Sequence, residues 1–188
     1  MRVVQGRLKN LRIPTIPGPH RPFTAKAREW LFYCLGDIIG LDFLDLFAGT
    51  GIVSLEAFSA GAYPVSVDRN KRTAVHVRAF LQKNALSWPY ITQPAEAFLK
   101  QKKRTFDIVF CDPPFAYNYT ADLLLQLLNA SLLKTNARVI IHTTKKVPIT
   151  IPNHFLVTKE KEFGFSLVRI LEHKGNISHV STTNNTIT

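Results

Sequence analysis

Short apolar runs alternate along this chain with stretches of helical period. Thr24 is placed to cap a helix in which Ala27, Trp30, Leu31, Cys34 and Leu35 share one face, and Gly36 stops it. Phe43–Phe47 reads as a short buried strand, followed after two glycines by a helix near Ile52–Ser59. A strand at Val65–Val67 ends at Asp68, and a helix follows near Thr73–Lys83. Tyr90–Thr92 is a further strand, Ala95–Leu99 a short helix and Phe106–Cys111 another apolar strand. A helix near Ala121–Leu128 leads to a strand at Arg138–His142, and Phe155–Lys161 with Ser166–Leu171 reads as an antiparallel hairpin. Strands alternating with helices imply βαβ units and a mostly parallel sheet, so the class is α/β. Ligands in such sheets bind beyond the carboxyl ends of the strands, near the switch point of the strand order. Chemistry is therefore sought at the strand ends.

Composition narrows this picture. At 188 residues, with 46% hydrophobic and 20% charged positions, the chain suits one globular domain and is not disordered throughout. Its net charge of +11 favours a polyanionic partner, nucleic acid or an acidic membrane surface. Cys34 and Cys111 cannot build a disulfide framework, and no pair has zinc-ligand spacing, so no metal is expected. No apolar run approaches the ~20 residues that span a bilayer, and Met1–Arg7 has no signal-like apolar stretch, so a cytoplasmic location is expected.

The charge is uneven. Residues 1–30 carry Arg2, Arg7, Lys9, Arg12, Arg21, Lys26 and Arg28 against one acid, Glu29, and are broken by Pro14, Pro17, Gly18 and Pro19. Residues 175–188 are nearly all small and polar, and read as a disordered tail. The expected division is a basic segment with its helix at 1–36, a core at 37–174 and the tail.

Three polar motifs fall at strand ends. In Asp45-Leu46-Phe47-Ala48-Gly49-Thr50-Gly51, Gly49 and Gly51 permit a tight turn against which a ligand can lie. Ser54 stands where a dinucleotide fingerprint has its third glycine, which weakens a pyrophosphate reading, and Asp45 suits a positively charged ligand such as S-adenosylmethionine. A glycine-rich turn without a ligand is the alternative. Asp68, followed by Arg69, can accept both hydrogen bonds of a ribose diol, or merely cap the next helix. In Asp112-Pro113-Pro114-Phe115 the prolines remove two N–H donors, leaving a carboxylate and a rigid carbonyl as acceptors for an amino group. Phe115 offers a flat face for stacking a base; a capped proline turn is the plain alternative.

These residues carry a family resemblance. Asp45–Gly51 resembles motif I of the class I S-adenosylmethionine-dependent methyltransferases, and Asp112–Phe115 resembles the D/N-P-P-F/Y/W motif of those acting on exocyclic amines. Arg21–Phe32 is similar to the R-P-T-x-D-x-x-R-E-x-L-F signature of the RsmD branch, and Leu55-Glu56-Ala57 with Ser59 matches the helix after motif I. The sequence departs at Phe23 and Ala25, where the branch has Thr and Asp, at Asp68 in place of Glu, and at Pro94 in place of an acidic residue or Asn.

The resemblance, running from about Arg2 to Lys174, implies a Rossmann-like, seven-stranded, mostly parallel sheet with helices on both faces and a terminal antiparallel hairpin. It implies methyl transfer from S-adenosylmethionine to guanine N2 in 16S ribosomal RNA, in an assembling small subunit, by a monomer. It assigns Asp112, Pro113, Pro114 and Phe115 to catalysis. Asp45, Phe47, Gly49, Gly51, Asp68, Arg69, Ala95, Glu96 and Asp112 are assigned to the cofactor. The basic residues Arg2, Arg7, Lys9, Arg12, Arg21, Lys26 and Arg28 are assigned to RNA. The histidines at 20, 76, 142, 154, 173 and 179 show no paired spacing and are expected to be surface or packing residues. Rival readings are an adenine-N6 methyltransferase, an inactive RNA-associated cofactor binder, and a nicotinamide oxidoreductase.

Overall fold

The computed structural model describes residues 1–14, 23–101, 104–114, 120–145 and 149–175, with the side chains of 120 and 121 excluded. Apolar runs covered on both faces make the centre of a seven-stranded sheet. Its strands are β1 (Asp42–Asp45), β2 (Tyr63–Asp68), β3 (Tyr90–Thr92), β4 (Phe106–Cys111), β5 (Leu133–Thr144), β6 (Phe155–Phe163) and β7 (Ser166–His173). They lie in the order β3-β2-β1-β4-β5-β7-β6. The first five are parallel, and β7 runs antiparallel to both β5 and β6. The order reverses between β1 and β4, which is the switch point.

Alternation along each strand sorts the core into two layers. Phe43, Ile108, Phe110 and Ile140 face one layer, with Ala27, Leu31, Leu55 and Val77. Those residues come from the helices α1 (Ala25–Leu35), α2 (Ile52–Ser59) and α3 (Lys71–Lys83). Leu44, Val109, Cys111 and Val139 face the other, with Phe98, Leu123 and Leu127 from α4 (Ala95–Leu99) and α5 (Thr120–Asn129). Among the described residues no helix is long and apolar enough to cross a membrane.

Element bounds follow the sequence pattern closely, with one instructive difference. β5 starts at Leu133 rather than Arg138, because the polar residues Lys134-Thr135-Asn136 are accommodated in an irregular pairing. Leu133 pairs with Phe106 and Arg138 with Ile108, and Asn136 takes a left-handed conformation (φ 60°) between them.

The basic N-terminal segment is part of the fold. Arg2 and Arg12 form an antiparallel bridge, and Val3 and Ile13 enter the first core layer. Its turn packs on the carboxyl end of α2, where the Arg7 amide donates to the Ser59 carbonyl and the Leu8 amide to Ser59 Oγ. Gly6 (φ 75°) permits the approach, since a Cβ there would lie 2.2 Å from that carbonyl oxygen.

A buried ion pair fastens the segment. Arg28 Nε donates to Glu56 Oε1 at 2.9 Å, with side-chain exposures of 3% and 0%. The two remaining arms of the guanidinium donate to the Phe23 and Arg2 carbonyls, and the Val4 amide donates to both Glu56 oxygens. Burial holds the Glu56 carboxyl above its ordinary range, opposed by Arg28 and the Val4 amide. Removing one partner strands the other charge, so Arg28→Ala is expected to cost about 3–5 kcal/mol in urea unfolding. A loss under about 1 kcal/mol would show that the pair does not hold the segment.

Candidate active site

Strand register assembles the site. Asp45 is level with Ser66 on β2 and with Phe110 on β4. Asp68 and Asp112 therefore each stand two residues beyond Asp45, on the strands to either side of it. Strand neighbours are about 4.8 Å apart, so one end of three adjacent strands carries three carboxylates.

Asp45 is 1% exposed. Its Oδ2 accepts from the Ser54 amide at 3.2 Å and from Ser54 Oγ at 2.7 Å. Behind it a polar chain continues, with Trp88 Nε1 donating to Ser66 Oγ, which shares a 2.7 Å hydrogen bond with Ser54 Oγ. Ser54, the residue that displaces the fingerprint glycine, thus carries the innermost link. Asp45 Oδ1 is buried with no hydrogen-bond donor among the described residues. Burial first, then the charges of Asp112 and Asp68, push the Asp45 carboxyl up to about 7, against the hydrogen bonds from Ser54. Burial and neighbouring carboxylates also push up Tyr90 and Cys111.

The loop between β1 and α2 is held from both sides. The Gly49 amide donates to Asp68 Oδ2 at 2.8 Å, and Tyr90 Oη donates to the Gly49 carbonyl at 2.6 Å. Gly49 and Gly51 have φ of 50° and 75°, as the turn requires. Asp68 Oδ1 accepts from the Asn70 amide at 2.7 Å. Asn70, not Asp68, caps α3, its side chain accepting from the Thr73 amide. Each Asp68 oxygen holds one backbone donor and retains capacity for another.

Other assignments sort by burial. Phe47 is half-buried, Arg69 is exposed, Pro113 is buried and Pro114 exposed, and Phe115 lies outside the described residues. Ala95 is buried at the start of α4 and Glu96 half-buried beside it. Gln93, just ahead of them, is a polar residue at the same end of the sheet that the sequence pattern does not single out. Its amide nitrogen is buried without an acceptor among the described residues, while its backbone N–H donates to the Asp68 carbonyl. Arg2, Arg7, Lys9, Arg12 and Lys26 are exposed, and Arg21 lies outside the described residues. Arg28 does not join them: it is spent inside the fold on Glu56, which corrects the expectation that it faces RNA.

His142 is a second residue that the pattern does not reveal. Cys111 pairs with Ile141 across β4 and β5, which sets Asp112 beside His142. His142 Nδ1 lies 2.7 Å from Asp112 Oδ1. The available signal was a titratable residue at the end of an apolar strand, where ligands of such sheets bind.

A buried carboxylate oxygen that lacks a donor among the described residues, with two further carboxylates nearby, can accept from a cationic donor. The ammonium and sulfonium of S-adenosylmethionine fit that charge, and its ribose diol fits the open capacity of Asp68. Comparison with known proteins gives the family. The model called Conserved hypothetical protein 95 matches residues 1–172. The chain is 30% identical to ribosomal RNA small subunit methyltransferase D of Haemophilus influenzae, over 92% of this chain and 94% of that one. This chain belongs to that methyltransferase family. The Escherichia coli member is 28% identical over 93% and 90% of the two chains. Among solved structures, an Escherichia coli chain described as a methyltransferase, yhhF, superposes with a TM-score of 0.84 at 25% identity, covering 93% of this chain and 98% of its own. The two chains thus share this fold over nearly their whole lengths.

The Asp45 titration has a measurable consequence. Its folded-state pKa lies above the ordinary value, so ionising it costs stability as pH rises from about 4 to about 7, and the cost is complete above that. Asp45→Asn is therefore expected to raise the melting temperature of the ligand-free protein at pH 8 and to leave it nearly unchanged at pH 4.5. An equal shift at both pH values would remove the charge cost.

Proposed function

We propose that this protein transfers a methyl group from S-adenosylmethionine to the exocyclic N2 of a guanine in small-subunit ribosomal RNA. Family membership supports the reaction class. The observation that carries the site is the register that sets Asp45, Asp68 and Asp112 at one end of three adjacent strands. In this reading the Gly49–Gly51 turn bears the cofactor, Asp68 takes its ribose diol and Asp45 Oδ1 its positive end. The edge formed by Gln93, Ala95 and Glu96 takes its adenine. When bound, the cofactor supplies an electrophilic methyl on its sulfonium.

The residues of this chain do the rest by placement. Guanine N2 is a weak nucleophile, because its lone pair is delocalised into the ring. Asp112 and the Pro113 carbonyl accept its two N–H bonds and turn the lone pair toward the methyl. N2 would take the methyl as the bonding electrons return to the cofactor's sulfur, and the proton that N2 sheds would pass to Asp112 and on to solvent. Alignment and electrostatics carry such a step without a covalent intermediate. The guanine is splayed from its helix to enter, and Phe115 stacks on it.

The N-terminal hairpin extends this site downward. Its turn, bearing Arg7 and Lys9, sits at the carboxyl end of α2, the end away from Asp112, while Arg2 and Arg12 lie further along it. This arrangement supports RNA running along the side of the molecule rather than only across the cleft.

Three outcomes test the reading. Ribosomal RNA from cells lacking this gene should lose one N2-methylguanine, whereas loss of an N6-methyladenine would favour the adenine-directed alternative. Asp68→Ala should weaken S-adenosylmethionine binding tenfold or more, since two hydrogen bonds to a carboxylate contribute about 1.5–3 kcal/mol each. Unchanged affinity by calorimetry would take Asp68 out of the site. For RNA, deleting the hairpin would also remove Val3 and Ile13 from the core, so the informative variant converts Arg2, Arg7, Lys9 and Arg12 to Gln. RNA binding should weaken, and its salt dependence flatten by up to about 0.7–0.9 in log–log slope for every phosphate the variant no longer neutralises. An unaltered slope would make the hairpin a solvated surface.

A further inference from the structure

The amine acceptor in the proposed reaction works only if its oxygen is aimed. Asp112 lies just past the end of β4, and its side chain is 21% exposed. Among the described residues, Oδ2 accepts no hydrogen bond, while Oδ1 lies 2.7 Å from His142 Nδ1. An ionised carboxylate offers only acceptor sites, so Nδ1 must carry the hydrogen and donate it. That contact fixes the imidazole tautomer as well as one carboxylate oxygen.

His142 is itself held. The residue is 4% exposed, and its ring meets Phe23 edge-on with centroids 5.0 Å apart. Phe23 packs in turn on Phe110 at 5.1 Å, and its carbonyl is held by the buried guanidinium of Arg28. Strand alternation puts Asp112 on the face of Phe110 and His142 on the face of Ile140, which line the same core layer. The imidazole thus stands on packed side chains, not on a loop.

We propose that His142 is the positioning residue of the methyl transfer. Its Nδ1–H pins Asp112 Oδ1, and Oδ2 is thereby presented to the exocyclic amine. The inference rests on the proposed role of Asp112 and adds what directs it. A misplacement of about 1 Å in such a constellation can cost on the order of a hundredfold in rate, so a residue that never touches the substrate can control turnover.

His142→Phe keeps a ring against Phe23 and removes the donor, while His142→Asn returns a side-chain N–H near the position of Nδ1. In single-turnover reactions with saturating cofactor, His142→Phe should lose at least tenfold in rate and bind S-adenosylmethionine within about twofold of wild type. His142→Asn should recover a substantial part of the loss, which a purely packing role would not allow. Nitrogen-15 NMR of labelled histidine should show the Nδ1–H tautomer for His142 in the wild type and its loss in Asp112→Ala. Wild-type turnover by His142→Phe, or an Nε2–H tautomer in the unmodified protein, overturns the proposal. Full turnover by Asp112→Ala overturns the acceptor role of Asp112 and this inference with it. In that event the tautomer still reports separately whether the two side chains are in contact.

Discussion

The buried pair of Arg28 and Glu56 is the fastening on which the N-terminal segment's place in the fold depends. Alone, a charge with 0–3% side-chain exposure would cost several kcal/mol. Here both charges are satisfied: the guanidinium by a carboxylate and two carbonyls, the carboxylate by the guanidinium and the backbone amides of the hairpin. The partners that satisfy them belong to three distant segments, the hairpin, the turn before α1, and α2. Folding those segments together is what completes the shell. From Phe23 the same connection reaches the His142 ring and then Asp112. The N-terminal segment is therefore linked to the carboxyl end of β4 through an unbroken row of packed or hydrogen-bonded groups.

Against that stability stands a built-in instability. The fold gathers Asp45, Asp68 and Asp112 where like charges oppose one another, and leaves one buried oxygen without a donor among the described residues. In the proposed reading, a bound cation relieves that repulsion. Charge chemistry, more than shape, then separates the ligands it can take: a diphosphate would add to the repulsion, while a sulfonium with an ammonium relieves it. The substitution of Ser54 for a glycine belongs to the same logic, because its hydroxyl donates into the carboxylate where a nucleotide-binding loop would make room for phosphate.

The sequence was most legible where apolar runs end in polar residues. Asp45 and Asp68 close strands and Asp112 directly follows one, so the pattern alone placed all three at strand ends, and the helices α2 and α4 have the bounds their apolar spacing predicts. Arg28 misled because a base among bases reads as surface. Its true setting is signalled by its partner, since Glu56 is the one charge in the otherwise apolar and small Ile52–Ser59. His142 escaped for a different reason. It is 30 residues from Asp112, and only the pairing of β4 with β5 makes them neighbours, a fact of register that no local spacing contains. Asn136 likewise absorbs its bulge through a left-handed turn that a run of polar residues does not announce.

The polar chain behind Asp45 gives the protein an optical voice. The chain holds two tryptophans, and they sit in unlike surroundings. Trp30 is half-buried near Phe163 and Lys161, whereas the indole of Trp88 is nearly enclosed and stands three hydrogen bonds from the Asp45 carboxylate. Indole emission follows the electric field along its ring, and a charge appearing or being neutralised at the end of an aligned row of hydroxyls changes that field. A change of charge at Asp45 is therefore expected to reach the emission of Trp88 through these hydroxyls. If the proposed site is right, cofactor binding there needs no added dye to be followed.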